Sequence, residues 1–158
     1  MKTSRVISVF LGRLFLSLIF LIAGFQKLFN WHETEKALMD ALCEWQNFVG
    51  FSESLQDCLT VLVPWASLLL VVGVIFELLG SFMLLIAYRE KLGVVLLILF
   101  LIPTTFLFHS FWFFEEPMRE LQMTMFLKNM AILGGLIFVA IHGAHARGDD
   151  GSSSMSFS

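Results

Sequence analysis

Four apolar runs, each long enough to cross a bilayer, leave this chain of 158 residues little choice of fold. A membrane-spanning helix needs about 20 predominantly apolar residues, each adding about 1.5 Å. The runs extend from about Val6 to Phe29, Val63 to Tyr88, Leu92 to Phe114 and Leu121 to His142. They are continuous rather than alternating, which excludes the strands of a barrel. The composition, 58% apolar and 15% charged, is too greasy for a soluble globule of this length to bury. The expected fold is all-α: a four-helix transmembrane bundle over residues 1–146 and a polar, disordered cytoplasmic tail over 147–158.

The connections fit this count. Arg89, Glu90 and Lys91 suit a tight charged turn, and the segment from Glu115 to Glu120, with Pro117, suits a second. Pro103 lies inside the third span and predicts a kink that frees a carbonyl one turn earlier. The one long connection, Asn30 to Leu59, carries Ala37, Leu38, Ala41, Leu42, Trp45 and Phe48 at helical spacing, with its acids mainly on other faces. An extra amphipathic helix on the membrane surface or capping the bundle is expected there.

Orientation follows from the basic residues. With the amino terminus inside, Lys2, Arg5, Arg89, Lys91 and Arg147 face the cytoplasm, against Lys36 and Arg119 on the other side. That bias predicts both ends inside. A cleavable signal peptide is the competing reading of the first span, but no small-residue cleavage site follows it. The net charge of −3 carries no electrostatic footprint for nucleic acid.

Cys43 and Cys58 both fall in the outer connection, where an oxidising compartment permits a disulfide. Such a loop is worth about 3 kcal/mol in the chain-entropy model. Two unrelated thiols, or a redox-active pair, are the alternatives. His32, His109, His142 and His145 are scattered by depth and side, so neither a metal site nor haem is expected.

Ionisable residues at membrane depth carry the functional expectation, because they are costly unless paired or wetted. These are Arg13, Lys27, Glu77, His109 and Lys128, with Asn129 beside the last. Helical spacing places Arg13, Ser17, Phe20, Gly24 and Lys27 on one seam of the first span, and Thr124, Lys128, Ala131 and Gly135 on one seam of the fourth. Counting depth from each span's midpoint suggests an Arg13–Glu77 ion pair, with Lys27, His109 and Lys128 towards the outer side. Several cations against one buried carboxylate call for water, an anion or an electron-rich headgroup. Architectural pairing, such as Glu77 with Lys128, explains the same residues without a ligand.

The same positions carry a family resemblance. Arg13-Leu14 with Gly24-Phe25-Gln26-Lys27-Leu28 resembles the opening of DoxX-like membrane proteins, and Glu77-Leu78-Leu79-Gly80 resembles their second-span element. Phe108-His109-Ser110-Phe111-Trp112 is similar to their third-span histidine with aromatics. Phe126 to Gly135, with Lys128, Asn129 and Ala131, is similar to their fourth span. The resemblance implies a four-helix bacterial inner-membrane protein. Some members are named as subunits of thiosulfate:quinone oxidoreductases. Others are linked to complexes handling thiol or superoxide stress, and a related family serves as cargo receptors.

The chain shows no flavin, iron–sulfur or haem motif, so redox chemistry would need a protein partner or quinone. The leading expectation is a polar intramembrane pocket of Arg13, Lys27, Glu77, His109, Lys128 and Asn129. It would bind a quinone headgroup or small anion, with Glu77 and His109 as the catalytic, proton-handling candidates. A non-catalytic scaffold or a cargo- or lipid-binding protein, alone or as a homo-oligomer, is the alternative; a small transporter ranks third.

Overall fold

The computed structural model describes residues 2–142, with side chains from 7 to 141, and all its regular elements are helical. The expected tail, His145 and Arg147 lie outside the described residues. Helix α1 (Lys2–Phe29) is the first span. After the single non-helical residue Asn30, whose side chain donates to the Gln26 carbonyl at 3.0 Å, the chain turns directly into α2 (Trp31–Phe48). A turn at 49–52 leads to α3 (Glu53–Leu62), and a short 3-10 turn carrying Pro64 leads to α4 (Ala66–Leu85). Helix α5 (Glu90–Phe108) and helix α6 (Met118–His142) complete the chain.

Four of these helical stretches are long and apolar enough to cross a membrane: 7–29, 53–85, 90–113 and 118–141. The third span differs from expectation at both ends. Glu90 and Lys91 belong to the first turn of α5 rather than to the charged turn. Its regular helix stops at Phe108, and a 3-10 turn at Phe111–Phe113 follows.

The turn before α5 is built from two left-handed residues, Ala87 and Arg89. Tyr88 N–H donates to the Met83 carbonyl and Ala87 N–H to that of Leu84, which satisfies the last carbonyls of α4. Glycine is the usual residue there; alanine holds the turn at a steric cost.

Helix α4 packs tightly on α1 and α5, α6 packs on α5, and α1 meets α6 only sparsely. The α4–α5 contact turns on two glycines. A Cβ on Gly80 would lie 2.8 Å from the Gly93 carbonyl oxygen, and one on Gly93 would lie 2.9 Å from that of Gly80. Small residues at a crossing let membrane helices approach to backbone contact. One apolar cluster, with Phe20, Leu84, Leu97, Phe100 and Leu136, joins α1, α4, α5 and α6. A second joins Leu38 and Leu42 of α2 to Ala66, Leu70 and Val74 of α4. Outside these clusters the spans present large apolar side chains such as Phe15, Ile22, Ile75 and Phe138, as a lipid-facing surface should.

Helix α2 therefore runs against α4 and α5, burying Leu38, Ala41 and Leu42, while Glu33, Lys36, Asp40 and Glu44 are exposed. Ser67 of α4 donates to the Glu35 carboxylate, and Trp45 Nε1 donates to the Phe106 carbonyl at 3.1 Å. The Phe106 carbonyl lies in the last turn of α5, where it lacks a helical donor. Trp45 thus satisfies the end of a neighbouring helix and sits among Phe48, Trp112 and Phe113.

Candidate functional site

Among the described residues, two ion pairs organise the charges within the spans, and neither is the expected one. Glu77, on the buried face of α4 and 1% exposed, is held by Lys27, whose ammonium donates to both carboxylate oxygens at 3.0 Å. Gly24, one turn before Lys27, makes room: a Cβ there would lie 2.6 Å from Leu78 Cδ2 and 3.5 Å from Glu77 Oε2. The ammonium also donates to the Ala23 carbonyl at a longer 3.4 Å and stands 5.3 Å from the centre of the Phe100 ring. Phe100 is braced edge-on by Phe20 and lies across Gly73.

Arg13 does not reach Glu77. It makes a two-pronged bond to Glu90 at 2.7 and 2.8 Å, tying α1 to the start of α5. The physical reason is height. Gly24 is the α1 residue level with Glu77, and Arg13 lies about 16 Å further towards the start of that helix. A carboxylate in the first turn of α5 also complements the positive end of the helix dipole.

The other expected residues are dispersed. Lys128 does not pair with Glu77. It is exposed, and its ammonium contacts Met125 Sδ at 3.2 Å on its own helix. Asn129 points inward and donates to Thr105 Oγ1 at 3.1 Å, and Thr105 donates in turn to the Leu101 carbonyl. His109 Nδ1 lies 2.9 Å from Gln122 Oε1, a bond in which the ring nitrogen donates to the amide oxygen. These bonds join α5 to α6. Among the described residues the anticipated crowd of cations is dispersed: Arg13 and Lys27 are each paired with an acid, and Lys128 is not.

Cys43 and Cys58 are separate, exposed thiols. Leu59 of α3 packs against the cluster that holds Leu38 and Leu42 of α2, and Gln46 Nε2 donates to Thr60 Oγ1 at 2.6 Å between the same helices. One residue on is about 100° round a helix, so both thiols turn off that seam. Among the described residues no three His, Cys, Asp or Glu side chains gather into a possible metal site.

A cavity of about 260 Å³ lies between α4 and α5, beneath α2. Its walls are apolar, chiefly Leu70, Gly73, Phe76, Phe100, Leu107 and Phe108, with exposed Leu69, Val72 and Leu99 at the lipid-facing side. Of the six pocket residues expected from the sequence, Lys27 alone lines it; Glu77 is joined to it through the ion pair. Thr34 and Thr104 add hydroxyl groups. Leu99 and Pro103 share its wall, and proline leaves the Leu99 carbonyl without its helical donor.

The DoxX family profile matches residues 8–110 of this chain. The chain belongs to the DoxX family. The matched region of this DoxX protein holds both ion pairs and the cavity, and it ends before α6, so the Lys128–Asn129 segment lies beyond it. No curated protein and no solved structure matches the chain.

Glu90, Gln122 and Thr34 did not stand out in sequence. Glu90 reads as an ordinary turn residue until helix α5 is known to start with it. Gln122 and Thr34 carry no charge to draw notice at membrane depth.

Proposed function

We propose that this DoxX protein is a multi-pass inner-membrane subunit, with both ends in the cytoplasm, that takes a quinone headgroup into the α4–α5 groove. In this role it supports the redox chemistry, thiol- or thiosulfate-linked, of a protein partner. The observation that carries the reading is the Lys27 ammonium, partly exposed, at the wall of an apolar groove open to lipid. A quinone is a flat apolar ring with carbonyl acceptors. It fits a site of aromatic walls and one strong donor. When bound, quinone supplies two-electron, two-proton chemistry; the chain supplies binding and orientation.

Lys27 holds the headgroup by exchanging its long bond to the Ala23 carbonyl for one to a ligand oxygen. Glu77 keeps the ammonium in place and stands ready as its proton partner. Helix α2 covers the groove from the far side, lying at the membrane surface.

Tryptophan quenching by a short-chain quinone, with the protein in vesicles, tests this. Wild type should saturate. Lys27→Met should weaken binding at least roughly tenfold, the scale of one charged hydrogen bond, while Asn129→Ala should leave it unchanged. Equal binding by Lys27→Met and wild type would refute the reading.

The fully buried Glu77 and the Gly24 cradle favour a second reading, in which the pair only fixes helix register. A double Lys27→Met, Glu77→Met substitution separates the two. A scaffold keeps its partners after the swap, whereas a pocket loses its quinone.

A further inference from the structure

Among the described residues well inside the spans, Lys128 is a cation that this fold leaves without an acid. It lies about 15 Å along α6 from Met118, which places it well inside a hydrocarbon core about 30 Å thick. The side chain is exposed, and its ammonium climbs one turn to Met125 without meeting an acid. A flexible four-carbon stem recovers only part of that depth. An ammonium left in lipid near the middle of a helix is costly even on the mildest scales.

The surface around it suits a neighbour. Thr124 and Ala131 share its face at the preceding and following turn, and both are exposed. Gly134 follows, also exposed, with nothing within 4 Å of where its Cβ would stand. A strip of small residues beside the cation lets another helix backbone come close.

We propose that this face of α6 docks a transmembrane helix of another membrane protein, one carrying an aspartate or glutamate at the depth of Lys128. Charge complementarity selects the occupant. A second copy of this chain does not supply it: Glu77 is buried on Lys27, and Glu90 is bonded to Arg13. In a symmetric pair with its axis along the membrane normal, equal heights meet, and Lys128 would face Lys128. Glu120 stands about 12 Å higher on the same helix, beyond the reach of such a contact.

The test uses the full chain, labelled at its native cysteines with a fluorescent maleimide, in phosphatidylcholine vesicles. Energy transfer is measured to a synthetic Leu/Ala transmembrane peptide bearing one glutamate at matching depth, or glutamine in its place. The glutamate peptide should associate roughly tenfold more tightly than the glutamine peptide, the range of polar contacts between membrane helices. Lys128→Met should erase that preference, and Lys128→Arg should keep it. An equal response to the two peptides would overturn the proposal, as would a preference that survives Lys128→Met. Lys128-dependent transfer between two labelled copies would reassign the face to self-association. Complete suppression by added phosphatidylglycerol would reassign it to anionic lipid.

Discussion

At the scale of single residues, the bond between Lys27 and Glu77 ties α1 to α4 at a buried carboxylate. Each partner in such a pair makes the other tolerable, and loss of one leaves a stranded charge. Lys27→Met should therefore lower stability by about 3 kcal/mol, since Glu77 stays buried without a donor. The double replacement Lys27→Met, Glu77→Met should recover most of that loss. Unfolding in mixed detergent micelles measures both, and a double variant no better than the single would show the pair to be unimportant. A second residue-scale prediction concerns Ala87, left-handed at φ 55°. Ala87→Gly should raise stability by about 1 kcal/mol in the same assay, because glycine adopts this conformation without the Cβ penalty. That Arg13, Lys27 and Glu77 lie within apolar spans was legible from the sequence, but their partners were not. Counting depth from each span's own midpoint assumes that the helices are level. Instead Gly24, five residues from the end of α1, lies beside Glu77. An offset of that kind is set by packing and leaves no mark in a hydropathy profile.

At the scale of elements, the long apolar runs identified four candidate spans, and a helix, α2, stands where Leu38, Leu42 and Trp45 recur at helical spacing. The sequence was less informative at boundaries. Continuous apolar character from Leu92 to Phe114 hid the end of α5 at Phe108, because the 3-10 turn beyond it is just as aromatic. Nor did the pattern show that Gly80 and Gly93 meet, since each is an ordinary small residue on its own helix. Their contact yields a sharp expectation. Gly80→Ala should cost about 1–3 kcal/mol, because the atom it strikes is backbone and cannot move aside alone. Gly134→Ala, in open space, should leave monomer stability nearly unchanged. If the two alanine variants unfold alike, the close crossing of α4 and α5 is wrong.

At the scale of the whole molecule, the topology proposed above puts both ends of the four-span bundle on one side, the cytoplasm. A native thiol tests it directly. Cys43 is exposed on α2, which on that topology lies in the connection opposite the ends. In intact cells, after mild reduction, a membrane-impermeant maleimide should label the protein from outside. Labelling that appears only after the inner face is opened would invert the topology. The sequence expectation of one shared polar pocket was too simple at this scale. Asn129 and His109 bond across the α5–α6 seam while Lys27 lies at the wall of the groove.

One consequence of the 3.0 Å contact between Lys27 and Glu77 concerns energised membranes. A lone charge moved across the field exchanges about 2.3 kcal/mol per 100 mV, but opposite charges this close present the field with a small dipole and no net monopole. The wall of the groove is thus electrically quiet, and a neutral guest should be held equally well whether the cell is polarised or collapsed.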